Sequence, residues 1–400
     1  MNAPVLHGIA DRIESDEQAL RIATELATLF KQDAAQRDQH RTLPWSELEQ
    51  FSQSGLWAIT VPKALGGAEV SSVTLAKVIS IIAAADGSLG QIPQNHYYAL
   101  EVLRVNGSAE QQHKLYTEVL AGARYGNALA EIGTKTILDR TTRLTPDRDG
   151  FKVNGRKFYA TGALYAQRIP TSVVDDEGKQ RLAFIPRTRE GVTVIDDWSG
   201  FGQRTTGSGS VVLENVAVTA DEVVPFQTAF ERPTTVGPFA QLLHAAIDTG
   251  IARGAYEHAL LFVREQARPW PDSGVEHAYE DPLTISDIGR LAVRVAAAEA
   301  LLERAGEALD KAQQDPTADT VAAASIAIAE VRALSTEASL LAGNKLIELG
   351  GARASLAEHG LDRYWRNARV HTLHDPVRWK YHAIGDYYLN DTLPPRRSYL

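Results

Sequence analysis

The chain has 400 residues and a formal net charge of −9, with 44% apolar and 23% charged residues. Length and apolar content suffice for two or three packed units with full cores. The acidic balance, with both signs interspersed, argues against nucleic acid as the main partner, and no apolar run reaches the length of a membrane span.

There is no cysteine, and the only methionine is Met1, where ordinary usage would supply on the order of a dozen sulfur-bearing residues. Disulfides and thiolate metal sites are thereby excluded. Avoidance of both residue types fits protection from oxidation or economy of sulfur. The second is preferred, because methionine is a useful core filler and oxidation acts mainly on exposed thioethers. The opening "MNAPVLHGIADRIESDEQAL" lacks the basic-then-apolar layout of a signal peptide, so a cytoplasmic location is expected.

Three regions follow along the chain. Residues 1–122 read as helical: Leu20, Ala23, Leu26, Ala27 and Phe30 have amphipathic spacing, Pro44 marks a helix start and Gly55 a helix end. "VTLAKVISIIAAADGSLGQ" predicts a largely buried helix ending near Asp86 and Gly87. Residues 123–234 switch to short strands, with a hairpin expected at Asn154-Gly155, and are read as a small antiparallel sheet or barrel. The helical period returns over 235–400, where Ile288, Leu291, Val295, Ala298, Leu302, Ala305 and Leu309 form a packing seam. A second, alanine-rich helix ends at Gly350-Gly351, and close helix packing in a bundle is expected.

Three stretches carry chemistry. "RNARVHTLHDPVRWKYH" holds His371 and His374 three apart, on one helical face if the helix persists. They could begin a metal site, cap helix ends or act as acid–base groups in a pocket. A third metal ligand is hard to find, and Pro376 breaks the helix just beyond. His96 in "GQIPQNHYYALEVL" reads either as a core histidine or as a second pocket residue. "YGNALAEIGTKT", "KFYATGALYA" and "IDDWSGFGQRTTGSGS" mix aromatics with small, hydroxyl and amide residues, a composition that lines a flat, polar-edged ligand such as a flavin or nucleotide. Glycine-rich turns joining strands explain the same residues equally well. No GxGxxG, Walker or GxSxG motif is present.

Taken together with the order of regions, "AAADGSLGQIPQNHYYALEVL", "IDDWSGFGQRTTGSGSV", "GPFAQLLHAAIDTGIARGA", "REQARPW" and "DRYWRNARVHTLHDPVRWKYH" resemble the acyl-CoA dehydrogenase superfamily over essentially the whole chain. Within it the chain is similar to the reduced-flavin-dependent monooxygenases, including dibenzothiophene and methanesulfinate monooxygenases and the SfnB sulfur-acquisition group. The resemblance implies a mainly α fold with a helical N-terminal domain, a β-barrel-like middle domain and a C-terminal four-helix bundle, assembled as a homotetramer. It implies Asn127, Thr161 and Trp198 at the flavin, Arg264 on the cofactor phosphate of an adjacent subunit, and His96 and His374 as the catalytic pair beside the ring.

Departures from acyl-CoA dehydrogenases shape the expected reaction. Asp375 stands where those enzymes usually have a catalytic glutamate, is one methylene shorter and precedes Pro376. Arg353 interrupts the glycine pattern that cradles the adenylate half of FAD, so reduced FMN is expected, with FAD as the alternative. The implied activity is a two-component monooxygenase in sulfur acquisition: reduced FMN from a separate NAD(P)H:flavin reductase reacts with O₂ to give a C4a-peroxide, and a small organosulfur substrate is oxygenated. No resident metal is expected. The competing readings are an FAD-dependent dehydrogenase of acyl thioesters using Asp375, and a non-catalytic flavin-binding protein of the same fold.

Overall fold

The computed structural model describes residues 10–136 and 139–400. Its N-terminal part is a cluster of helices. Helix α1 (Asp16–Gln32) starts where the Ser15 side chain accepts the Gln18 N–H, and buries Ala19, Ala23, Leu26 and Phe30. Short helices α2 (Ala34–His40) and α3 (Trp45–Gln53) follow. Helices α4 (Ser72–Ala85) and α5 (Gly87–Asn106) meet at Asp86, at the helix end expected from the sequence. Asp86 Oδ1 accepts the N–H groups of Ser88 and Leu89 at 2.9 and 3.2 Å, while Oδ2 receives the buried Arg37 of α2. One carboxylate thus caps α5 and ties α2 to the junction. Helix α6 (Ala109–Leu120) opens with a Ser108–Gln111 capping box.

The middle of the chain forms β1 (Arg143–Asp147), β2 (Gly150–Lys157), β3 (Arg168–Val174), β4 (Gln180–Pro186), β5 (Val192–Ile195), β6 (Ser210–Val218) and β7 (Val223–Pro225). These strands make one open mixed sheet, ordered β5-β6-β2-β1-β3-β4-β7. The expected barrel is therefore corrected: the edges β5 and β7 do not pair, and β1 joins β3 in parallel through a single register pair, Arg143 with Val174. The edge at β7 is blunted by helices instead of closure. Gln111 Nε2 donates to the Val223 carbonyl at 3.0 Å, and Asn106 Nδ2 to the Pro225 carbonyl at 2.8 Å. The expected hairpin turn at Asn154-Gly155 is also displaced. The chain reverses between Asp147 and Gly150, and Asn154 lies inside β2 at a register shift against β6. There Asn154 Oδ1 accepts the N–H of Asn215, which is left-handed, and a side chain at Gly155 would strike Thr142 at 2.4 Å. The glycine serves a close backbone approach, not a turn.

The C-terminal part begins with the single turn α7 (Thr228–Glu231), then α8 (Val236–Glu265), α9 (Pro282–Gln314) and α10 (Ala318–Ala354), which pack against one another. The α9 seam is buried as its spacing predicts, from Leu291 through Leu309. Helices α11 (Asp362–His371) and α12 (Arg378–Asn390) lie on α10, and α8 also packs on α4 and α5. Among the described residues no helix is long and apolar enough to cross a membrane.

Two contacts fix how these parts meet. On the N-terminal side, His96 of α5 donates Nε2–H to the Trp57 carbonyl (2.8 Å) and accepts the Tyr125 N–H at Nδ1 (3.0 Å). Complete burial drives its pKa down to about 3, so it is neutral at working pH. On the C-terminal side, the loop between β5 and β6 docks on α11: the Gln203 N–H donates to Asn367 Oδ1 at 2.7 Å, and Arg366 Nη1 to the Phe201 carbonyl at 2.9 Å. A Cβ added at Gly202 would sit 2.0 Å from the Arg366 carbonyl oxygen.

Both contacts give expected outcomes. Gly202→Ala must push the loop off α11, at a cost of about 1–3 kcal/mol in stability, read as a lower urea midpoint; an unchanged midpoint would contradict this docking. His96 is depressed from 6.5 to about 3, so between these limits the unfolded chain binds the extra proton and stability falls as pH is lowered. Replacement by Gln should remove a slope of up to about 1.4 kcal/mol per pH unit from that window, measured by urea unfolding from pH 6.5 downward.

Candidate functional site

The site is built where α8, α10 and α11 pack together, with the β5–β6 loop docked on α11. His244 and Asp248 are four apart on α8 and so share a face. His371 ends α11, and the following turn brings His374 back beside it. The three imidazoles form one cluster, with ring centroids 4.6 Å (His244–His374), 4.8 Å (His371–His374) and 5.2 Å (His244–His371) apart. One ring nitrogen from each lies within 4.8 Å of the others. His244 is thus the third histidine that spacing in the sequence did not supply.

Hydrogen bonds sort the ring nitrogens by task. His371 Nδ1 faces Asp248 Oδ1 at 2.6 Å, and Arg332 of α10 holds the other oxygen of that carboxylate. His371 Nε2 faces His244 Nδ1 at 3.2 Å. His374 Nδ1 donates to the His371 carbonyl at 2.7 Å, and its Nε2 receives the Gln91 amide at 3.4 Å. Asp248, Arg332 and His371 are almost wholly enclosed, whereas His374 is exposed in the single chain. Burial would raise the Asp248 pKa, but His371 and Arg332 reverse this and hold it below the usual carboxylate value. Burial, followed by the neighbouring histidines, pushes His244 well below its ordinary value. His374, packed around its ring despite its open edge, is lowered to about 4 by burial and then by His371. The cluster is therefore neutral at pH 7 where these two rings are concerned.

Asp375 is enclosed. Its Oδ2 lies 3.8 Å from Arg332 Nη2 and 4.0 Å from Lys380 Nζ, with no hydrogen-bond partner. Lys380 is itself brought down to about 8 by burial, and donates to Gln241 Oε1 and to the Tyr399 carbonyl.

The sheet side supplies the polar lining. Asn127 Nδ2 donates to the Tyr159 carbonyl at 3.2 Å and its Oδ1 accepts the Leu129 N–H. Thr161, two residues beyond Tyr159, shares a hydroxyl hydrogen bond with Ser208 (2.7 Å), which in turn meets Thr206 (2.6 Å). Trp198 donates Nε1–H to the Gln203 carbonyl at 2.9 Å, and its ring stands 6.2 Å from that of Tyr159. Tyr159 and Gln203 both have left-handed backbones, with φ of 57° and 53°. Strain of this kind in non-glycine residues is held only where the surroundings enforce it.

Asn127, Thr161 and Trp198 thus lie on adjoining loops, and Gln203 links them through Asn367 to the helix that carries His371. The buried Gln203 amide has neither its oxygen nor its nitrogen partnered, and Gln91 Oε1 is likewise unsatisfied. The unpaired Gln203 amide, next to the Thr206–Ser208 hydroxyls, suits a flat heterocycle whose edge alternates donors and acceptors, as a flavin's does. The residues present fit that group.

Two expected site residues are not in this constellation. His96 spends both nitrogens on backbone groups, so it has no lone pair or proton for a ligand, and its contacts are Trp57, Tyr97 and Tyr125. Arg264 is exposed in the last turn of α8, with no ion pair among the described residues. Conversely, His244, Asp248, Arg332, Gln91 and Gln203 had no role in the sequence reading. The signal for the first pair was available: a histidine and an aspartate four apart in an otherwise apolar, alanine-rich helix.

Family models for the acyl-CoA dehydrogenase N-terminal and C-terminal domains match residues 16–123 and 242–379. Dibenzothiophene monooxygenase of Rhodococcus erythropolis is 35% identical over 98% of each chain. A probable FMNH2-dependent monooxygenase, SfnC, of Pseudomonas putida is 32% identical over the full length of both. The crystal structure of FMN-bound TdsC from Paenibacillus sp. A11-2 superposes with a TM-score of 0.92 at 32% identity, covering 96% of this chain and 100% of that one. The chain belongs to the acyl-CoA dehydrogenase family, and within it is related to the FMN-dependent monooxygenases of sulfur metabolism.

Proposed function

We infer that this chain is an FMN-dependent monooxygenase that oxygenates a small organosulfur compound when sulfur is scarce. The observation that carries this reading is the docking of the hydroxyl- and amide-bearing β5–β6 loop on α11, the helix that ends in the three-histidine cluster. The near absence of sulfur from the chain itself agrees with that setting.

Reduced FMN, when bound, supplies the electrons that activate O₂. The residues of this chain do the rest. Asn127, Thr161 and Gln203 offer hydrogen bonds to the ring edge, and Trp198 gives one wall. His374, neutral and anchored through Nδ1, presents Nε2 to move a proton. His96 holds the Tyr125 backbone two residues before Asn127 and so acts as scaffold. Apolar packing around α5 and α8 keeps water out, which limits loss of oxidising equivalents as hydrogen peroxide.

The dehydrogenase alternative requires a free base at position 375, and Asp375 lies enclosed between Arg332 and Lys380. A separate NAD(P)H:flavin reductase supplies the reduced cofactor in this reading. Assembly is a homotetramer, in keeping with the exposed apolar residues Leu283, Ile285 and Val293 of α9 and Trp379 and Leu389 of α12. The exposed Arg264 guanidinium is then free to reach the phosphate of a neighbouring subunit's FMN.

Mixing the enzyme with reduced FMN, oxygenated buffer and a panel of small sulfones and sulfinates should yield an oxygenated product with little hydrogen peroxide. In His374→Ala, product should fall by at least about tenfold while peroxide rises. Oxygen consumption at the rate of free reduced FMN, with no product from any compound, would sink the proposal. Arg264→Ala should weaken FMN binding by about tenfold, roughly 1.4 kcal/mol, while leaving the fold and the assembly intact; equal affinity would remove Arg264 from the site.

A further inference from the structure

The proposed chemistry asks His374 to move a proton, but it leaves the deepest part of the cluster without a task. Asp248 is fully enclosed and sits between two donors, His371 Nδ1 at 2.6 Å and the Arg332 guanidinium. A carboxylate there accepts only, so His371 must carry its proton on Nδ1 and offer a bare Nε2. The atom facing that lone pair, 3.2 Å away, is His244 Nδ1, which must therefore be the protonated nitrogen of its own ring. His244 Nε2 is left bare and has no hydrogen-bond partner among the described residues.

We propose that Asp248, clamped by Arg332, is a positioning residue: acting through His371, it fixes His244 in the Nδ1–H tautomer, so that His244 Nε2 stands as a second proton acceptor beside His374. The inference rests on the monooxygenase reading for its purpose, though not for its geometry. The proton balance is closed. A proton taken at His244 Nε2 releases the one on Nδ1 to His371 Nε2, and the imidazolium so formed lies against the Asp248 carboxylate. Asp248 remains ionised throughout. The cations and dipoles around His244, namely Arg332, Lys380, His371 and His374, all oppose a charge on its own ring and so favour passing the proton inward.

Nitrogen NMR of flavin-free protein carrying ¹⁵N-histidine, with His244 assigned by its loss in His244→Gln, reads the tautomer directly. At neutral pH the far-downfield resonance of a bare nitrogen should belong to Nε2 in both His244 and His371. In Asp248→Asn, Arg332 keeps the amide oxygen, the amide N–H₂ turns to His371, and the downfield resonance should move to Nδ1 in both rings. A wild-type His244 protonated on Nε2, or a folded Asp248→Asn protein with unchanged His244 signals, would overturn the proposal. The wild-type spectrum decides it even if Asp248→Asn does not fold. Because no flavin is present, failure here is distinct from failure of the monooxygenase reading, which is judged by product formation.

Discussion

The docking of the β5–β6 loop onto α11 is the constraint from which the site follows. Asn367 accepts the Gln203 N–H at 2.7 Å, and Gly202 lies against the Arg366 carbonyl with no room for a methyl group. Without this seam, the loop bearing Trp198, Thr206 and Ser208 would have no fixed relation to the helix that ends in His371. A close backbone approach is a strong constraint because it tolerates no drift: displacement loses a buried hydrogen bond and leaves Gln203 and Asn367 unpaired. Asn367 also approaches Gly87 at the start of α5, so one side chain touches all three parts of the chain.

Buried polarity is concentrated at this junction and carries most of the functional information. Arg332, Asp248 and His371 form a closed charge-assisted set, costly to assemble in a low dielectric and more costly to break once formed. The Gln203 and Gln91 amides are the opposite case, enclosed polar groups without partners. A native core rarely leaves such groups unpaired unless something else satisfies them. The proposed flavin edge would do so here, whereas Asp375 Oδ2, also without a hydrogen-bond partner, lies 3.8 Å from Arg332 and 4.0 Å from Lys380.

Much of the architecture is legible in residue spacing, because helices bury a stripe whose period is set by backbone geometry alone. The α9 seam and the break at Asp86 are of that kind. The sheet was harder. Asn154-Gly155 carries a strong turn signal, yet its local preference is overridden by pairing with β6 and by the close approach of Thr142. Closure into a barrel depends on whether distant edges pair, which short strands do not encode. At the site, Thr161, Trp198 and Asn127 were reachable by resemblance and do share a region. His244 and His371 are 127 positions apart, and their contact depends on how α8 and α11 pack. His96 shows the same dependence on packing. A histidine in an apolar helix declares its type, but not that two backbone groups will claim both its nitrogens.

In the proposed site the flavin ring lies between the sheet loops and the histidine cluster. A crystal structure of the protein with FMN tests it most directly. The ring is predicted to meet Thr161 and the Gln203 amide on one side and to have His374 beside its reactive face, with the phosphate leading toward Arg264 of a neighbouring subunit. FMN bound away from these loops, or with the three histidines turned from the ring, would contradict it.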